Sequence, residues 1–207
     1  MRILGIESSS LVASVAVVTD GVVTAEYTVN FKKTHSQTLL PMLDEIVRMV
    51  ELDLETVDAI AVSGGPGSFT GLRIGSATGK GLGLALKKPL IHIPTVDGMA
   101  YGMYGYGGLV CPIMDARRNQ VYTGIYDNRE GFTAVREQCA MDIDELVDEL
   151  NNMETRVVFL GDGVPVYSER IAERMTVPFS FAPAHINRQR AAAVAALGCI
   201  YYEDRKS

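Results

Sequence analysis

Residues 64–86 read GGPGSFTGLRIGSATGKGLGLAL. A turn rich in glycine leads to Ser68, whose hydroxyl can cap a helix by accepting a hydrogen bond from a free backbone N–H group. Inside the predicted helix, glycine recurs at every fourth position, although each glycine costs about 1 kcal/mol relative to alanine. Such a stripe indicates that another segment approaches this face of the helix very closely. The stripe consists of Gly71, Gly75, Gly79 and Gly83.

Two neighbours are compatible with this stripe. The helix lies either on the chain's own sheet or, along part of its length, against a helix of another protein. A second helix, predicted at residues 35–51, favours the partner, because its apolar arc covers about half of its circumference, which is more than one neighbour usually needs. Both alternatives stay open at this point.

The elements around the stripe define a fold class. Asp20 and Gly21 form a strong hairpin signal between two strands. The order of three strands, helix, strand, helix and strand is not that of a Rossmann fold, and it matches one half of the actin-like, Hsp70-like and sugar-kinase architecture. The predicted elements are strands at 2–6, 11–18, 22–29, 58–63 and 89–93 and helices at 35–51 and over the glycine stripe.

The second half of the chain shows weaker periodicity. We place a boundary near residue 104, which gives subdomains 1–104 and 105–207. The sequence thus predicts an α/β protein with two βββαβα-type subdomains, the second of them short and irregular. Its predicted strands are 109–115, 120–126, 132–138 and 157–160, and its predicted helices are 142–150, 166–174 and 188–201.

Composition narrows the class of protein. The chain has 207 residues, a net charge of −6 and no long cluster of Lys and Arg, so any nucleic acid is expected to be bound through a partner. The three cysteines are far apart and form no CxxC pair, which indicates neither a zinc knuckle nor a disulfide framework. No run of 18 apolar residues and no signal-peptide pattern is present, so a cytoplasmic protein without a membrane partner is expected.

Two segments are candidates for a phosphate site. The first strand ends in an acidic residue and three serines, where actin-like ATPases hold nucleotide phosphates, and backbone N–H groups at a helix start attract anions. The alternative is a tight strand-to-helix turn beside turn-forming serines. A P-loop is excluded, because Gly81 stands where Ser or Thr should bind magnesium. The candidate residues are Glu7, Ser8, Ser9, Ser10, Gly65, Gly67 and Ser68.

Metal and nucleophile motifs are weak. His35, His92 and His185 are the only histidines, and none pairs with another at helical or turn spacing. No metal site is therefore expected, and no Ser/His/Asp or Cys/His grouping has a distinguishing spacing.

Four strings carry a family resemblance. They are GGPGSFTGLRIG, MDARRNQVYTGIYD at 114–127, ILGIESS near the start, and HSQTLLPMLDE at 35–45. Through these strings the chain resembles the TsaB family, also called YeaZ. The resemblance is best over residues 1–130 and is weaker beyond them, apart from LGDGV at 160–164. The resemblance implies an actin-like (ASKHA) fold and a non-catalytic paralogue of TsaD. TsaD transfers threonylcarbamoyl to the adenosine beside the anticodon of tRNAs that read ANN codons.

The resemblance also implies partners. TsaB is expected to pair with TsaD, or with a second copy of itself, through the two helices, and the ATPase TsaE joins the pair. No cofactor is expected on the isolated chain; ATP or ADP takes part only in the complex with TsaD and TsaE, at a site that is vestigial or shared. The interface residues predicted on this basis are His35, Leu39, Met42, Leu43, Ile46, Gly71, Gly75 and Gly79.

TsaD binds its metal through a His-x-Glu-Gly-His motif after the strand that follows the glycine helix. Here Thr95 and Met99 stand at the histidine positions, with Asp97 between them. Neither a hydroxyl nor a thioether replaces imidazole for such a metal, so the resemblance implies a catalytically inactive subunit. The alternatives are an actin-like-fold small-molecule kinase or ATPase, for which LGDGV at 160–164 is the only candidate for a second phosphate loop, and the glycoprotease-like peptidase of older naming.

Overall fold

The computed structural model describes residues 1–31 and 35–204. The chain forms two compact units, one comprising Met1–Gly98 with the segment from Gln189 onward, the other Met99–Arg188. This division differs from the predicted subdomains 1–104 and 105–207, because the last helix packs on the first unit and is not part of the second.

The first unit is built on a five-stranded mixed sheet. The strands β1–β3 are antiparallel neighbours, and β4 and β5 run parallel to β1, in the order β3-β2-β1-β4-β5. The predicted succession of elements is confirmed. The strands are β1 (Arg2–Glu7), β2 (Val12–Thr19), β3 (Val22–Asn30), β4 (Ala59–Ser63) and β5 (Leu90–Ile93), and the helices are α1 (His35–Met49) and α2 (Phe69–Leu86).

A further helix belongs to each end of this unit. The short helix α3 (Thr95–Tyr101) follows β5 and crosses the boundary between the units, and α6 (Ala191–Glu203) ends the described chain. A Cβ atom on Gly198 of α6 would lie 2.7 Å from the Cβ of Ala61. Ala61 alternates along β4 with Ile60 and Val62, which face α2, so α6 covers the opposite face of the sheet.

The second unit repeats the same topology. Its sheet has the order β10-β9-β6-β7-β8, which is the order of the first sheet read from the other edge. The elements are β6 (Leu109–Asp115), β7 (Gln120–Asp127), β8 (Thr133–Asp142), α4 (Ile143–Asn152), β9 (Val157–Leu160), α5 (Val164–Arg174) and β10 (Phe179–Phe181).

The second half was expected to be irregular, and for its strand order this expectation was wrong. The missing strand β10 has only three residues and directly follows Pro178, so no alternating pattern marks it. Helix α3 also went unrecognised, since it has seven residues and contains Gly98. Both elements are too short for periodicity to identify them.

The first hydrophobic core lies between α1 and the sheet. Leu39, Leu43 and Ile46 of α1 pack with Leu4 and Val15 of the strands. The wide apolar arc of α1 is thus largely used within its own unit. Among residues 1–31 and 35–204, no helix has the length and apolar character that crossing a lipid bilayer requires.

Candidate functional site

The predicted phosphate residues meet where β1 and β4 end and α2 begins. The chain turns directly after Glu7, and the backbone N–H and the hydroxyl of Ser9 both donate to Glu7 Oε1, at 2.6 and 2.5 Å. Ser8 N–H donates to Ser63 Oγ at 3.3 Å. Glu7, Ser8 and Ser9 are all buried, so this corner of the fold presents a carboxylate that is already bonded to its own loop.

The glycine turn closes on that loop. Ser68 N–H donates to the carbonyl oxygen of Ser9 at 2.6 Å, and Ser68 Oγ accepts from Gly71 N–H at 3.3 Å, as the capping prediction requires. A Cβ atom on Gly67 would lie 2.2 Å from the Ser9 carbonyl oxygen. The backbone N–H groups of Ser68 and Gly71, at the start of α2 where an anion was expected to bind, therefore donate to acceptors within the chain.

His35 joins the same cluster from α1. Its Nε2 lies 2.8 Å from the carbonyl oxygen of Ser10, and its ring faces Gly71. The imidazole fixes the start of α1 against α2 and against the loop of Ser8, Ser9 and Ser10, which we call the serine loop. The sequence pointed to His35 as an interface residue, and the structure instead makes it a link between three segments of one unit.

Burial raises the pKa of Glu7 above its usual range, and hydrogen bonds from Ser9, Ser63 and Ser8 oppose this shift. Desolvation disfavours the charged form of a carboxyl group that has been removed from water. The protonated form is thus more favourable in the folded protein than in the unfolded chain. An exposed carboxylate that binds a hydrated cation is charged, whereas burial disfavours the charged form of Glu7.

Glu7→Gln is expected to stabilise the protein at neutral pH. Because the pKa of Glu7 is raised by folding, the wild-type protein loses stability as the pH rises above the unfolded-state pKa and toward the folded-state pKa. Glutamine keeps an oxygen that accepts from Ser9 and removes the buried charge. Thermal melts between about pH 5 and pH 8 should show the variant gaining on the wild type as the pH rises. A difference that stays constant over this range would contradict the assignment.

The degenerate metal-motif positions have structural contacts instead. Thr95 forms two hydrogen bonds with the glycine turn: its N–H donates to Gly65 O at 2.8 Å, and its Oγ1 accepts from Gly65 N–H at 3.2 Å. Asp97 accepts from the hydroxyl of Tyr201 in α6 at 3.3 Å. Met99 is buried in the second unit, where its methyl group faces Gly161. Among the residues described, no three His, Cys, Asp or Glu side chains are grouped as a metal site would need.

The glycine stripe faces the chain's own sheet. A Cβ atom would lie 2.1 Å from Ser8 O at Gly71, 2.1 Å from Ser8 Oγ at Gly75, and 2.6 Å from Val62 Cγ2 at Gly79. Ser8 Oγ also donates to the carbonyl oxygen of Gly71 at 2.9 Å. The first of the two alternatives therefore holds, contrary to the prediction that these three glycines contact a partner.

The contacts predicted on α1 are also internal. His35 and its four apolar companions lie on the face of α1 that covers the sheet, and each is less than 9% exposed. A side chain that is buried in its own core has no surface to offer a second protein, so the predicted interface is corrected here. The residues concerned are His35, Leu39, Met42, Leu43 and Ile46.

Some exposed apolar side chains of the two helices were not predicted to be important. Large apolar side chains are exposed outside the buried faces, namely Leu84 (86%) and Phe69 (68%) on the side of α2 opposite the glycines, and Met49 (75%) and Leu40 (54%), which lie on different sides of α1. The signal was present on α2, since Phe69, Arg73, Ala77 and Leu84 recur at spacings of four, four and seven residues on the side opposite the glycines. We call Leu40, Met49, Phe69 and Leu84 the outer apolar residues.

Comparison with known proteins agrees with this geometry. The family model of TsaD, tRNA N6-adenosine threonylcarbamoyltransferase, matches residues 23–203. The tRNA threonylcarbamoyladenosine biosynthesis protein TsaB of Bacillus subtilis is 31% identical over 200 residues, which are 96% of this chain and 87% of that protein.

Solved structures give the same result. YeaZ from Pseudomonas aeruginosa matches with a TM-score of 0.82 and 25% identity over 98% of this chain and 92% of its own. The ROK hexokinase from Thermus thermophilus matches with a TM-score of 0.57 and 12% identity over 99% and 100% of the two chains, a likeness of fold alone. These matches confirm the predicted actin-like (ASKHA) fold. The chain belongs to the TsaB (YeaZ) family of tRNA threonylcarbamoyladenosine biosynthesis proteins.

Proposed function

We propose that this protein is an accessory subunit that binds TsaD and activates its transfer of threonylcarbamoyl to the adenosine beside the anticodon of ANN-decoding tRNAs. The observation that carries this proposal is the pair Thr95 and Met99. Both stand where TsaD has metal-binding histidines, and here Thr95 binds the glycine turn and Met99 packs in a core.

The environment of Glu7 supports a non-catalytic role. A nucleotide-hydrolysing site needs an accessible carboxylate that can orient water or a hydrated metal ion. Glu7 is 1% exposed and bonded to Ser9, and the start of α2 is occupied by the serine loop. In this proposal, ATP or ADP takes part only in the complex with TsaD and TsaE.

The outer apolar residues are the surface that we assign to the partner. Scattered exposed apolar residues are common, yet Phe69 and Leu84 share the outer side of α2, and Leu40 and Met49 lie on the neighbouring helix α1. Burial of such side chains against a partner would be favourable. In the isolated protein, the same surface pairs with a second copy. The complex forms in the cytoplasm, and tRNA is reached through the other subunits.

Reconstitution of the modification tests this proposal. With TsaD, TsaE, the threonylcarbamoyl-adenylate synthase and an ANN-decoding tRNA, addition of this protein is expected to be required for the modified nucleoside to form, as measured by mass spectrometry of digested tRNA. The isolated chain is expected to hydrolyse neither ATP nor peptides. Equal yields without this chain would refute the accessory role, and ATP turnover by the chain alone would favour the kinase or ATPase alternative.

A further inference from the structure

A cavity of about 500 Å³ lies in the first unit between α2 and β5. Strand β5 is the edge strand of its sheet, so the sheet does not continue beyond this side of α2. The wall is largely apolar and includes Leu72 from α2 and Leu90 and Ile91 from β5. Small-molecule sites typically have volumes of about 300–1,000 Å³ and an apolar lining with a few polar groups.

Two permanent cations and an imidazole line this cavity. Arg73 and Lys80 lie seven residues apart on α2, and His92 projects from β5. The lining contains no acidic side chain. Within residues 1–31 and 35–204, the ion pairs include neither Arg73 nor Lys80. The positive charge is thus uncompensated, in a protein whose net charge is −6.

The position of each basic group is set by its neighbours. The Arg73 guanidinium lies 3.8 Å from the centre of the Phe69 ring, which holds the plane of the guanidinium while its N–H groups stay available for an anion. The His92 ring lies against Gly64, where a Cβ atom would be 1.8 Å from Nε2. Only glycine at position 64 leaves room for His92 in this orientation. The glycine turn therefore shapes this cavity as well as the start of α2.

We propose that this cavity binds a small organic anion, a phosphate or carboxylate carried on an apolar body. The anionic group bonds to Arg73 and Lys80, and the body lies on Leu72 and Leu90. Charge-assisted hydrogen bonds are about twice as strong as neutral ones, and the apolar wall adds affinity that inorganic phosphate cannot gain. The cavity adjoins the serine loop, since Ser63 lines it and accepts from Ser8 N–H, and it shares Phe69 with the outer apolar residues. The proposal itself does not depend on the proposed role with TsaD.

Calorimetric titration of the isolated protein tests the site. Adenosine 5′-monophosphate and indole-3-acetate supply the two anionic groups on flat bodies, and adenosine, indole and inorganic phosphate each lack one feature. We expect at least one of the two complete probes to bind about tenfold or more tightly than its neutral counterpart and than inorganic phosphate. Tighter binding of the monophosphate identifies a phosphate ligand, and tighter binding of indole-3-acetate identifies a carboxylate.

Variants decide whether the binding occurs in this cavity. Arg73→Gln and Lys80→Gln should each weaken the better probe about tenfold. Arg48→Gln, which removes an exposed cation from α1, should leave its affinity unchanged. The proposal is overturned if neither complete probe saturates below about 10 mM, or if all three variants bind equally. It is also overturned if no probe binds while Arg73→Gln loses association with TsaD, because the basic groups then serve a protein contact.

Discussion

Gly71→Ala is expected to destabilise the protein by about 2–3 kcal/mol, because a methyl group at this position meets a backbone atom. A Cβ atom there would lie 2.1 Å from the carbonyl oxygen of Ser8, in the loop that also bonds Glu7 and Ser68. The higher helix propensity of alanine offsets at most about 1 kcal/mol of this loss of stability. For a chain of this size we expect the melting temperature to fall by roughly 5–10 °C.

Gly81→Ala is the matched control on the same helix. Nothing lies within 4 Å of a Cβ at Gly81, so the identical substitution should stabilise the protein by up to about 1 kcal/mol. Circular-dichroism melts of the two variants should therefore move in opposite directions from the wild type. Equal shifts would show that α2 does not rest on the serine loop. Gly75→Leu should follow Gly71→Ala, since its side chain would enter the space of Ser8 Oγ.

Leu84→Lys is expected to weaken association with TsaD at least about 30-fold, which corresponds to 2 kcal/mol, while the protein folds normally. Leu84 is 86% exposed near the end of α2, where a positive charge is compatible with the helix dipole. In a buried interface, the same charge would be desolvated without a partner. Analytical ultracentrifugation or surface plasmon resonance with purified TsaD measures the effect.

Val22→Lys provides the comparison for this experiment. Val22 is also a largely exposed apolar residue, but it lies at the hairpin between β2 and β3. It should bind TsaD with wild-type affinity. If Leu84→Lys binds as tightly as Val22→Lys, the outer face of α2 is not the partner surface, although reconstitution could still show that the protein is required.

Much of the first unit follows from sequence pattern. Alternating apolar residues and the Asp20-Gly21 turn located the three antiparallel strands, and Ser68 marked the start of α2. The second unit was harder to predict, because β10 has only three residues. Helix α3, which crosses the boundary between the units, has only seven residues and contains Gly98. Local patterns contain no information about the distant pairing of β9 with β6 and β10, which completes that sheet.

The site was harder to predict than the fold, for a physical reason. Periodicity shows which residues share a face of a helix, and it does not show what covers that face. Gly71 and Gly75 were correctly predicted to share one face of α2. Their neighbour on that face is Ser8, which is distant in the sequence. The cavity beside α2 is a similar case, since Arg73 and His92 are brought together by the packing of α2 on β5.

The position of α6 has a consequence for biosynthesis. The Ala191 N–H donates to Ser14 Oγ at 3.0 Å, and Gly5 leaves space for the carbonyl oxygen of Ala191, so the first sheet is covered by a segment that the ribosome makes only after residues 99–188. At about 5–20 residues per second, synthesis of residues 99–188 keeps that face of the nascent first unit bare for roughly 5–20 s. The cover of the first sheet is thus completed only after the second unit has been synthesised, and until then the apolar side chains of that face remain open to contacts with other chains.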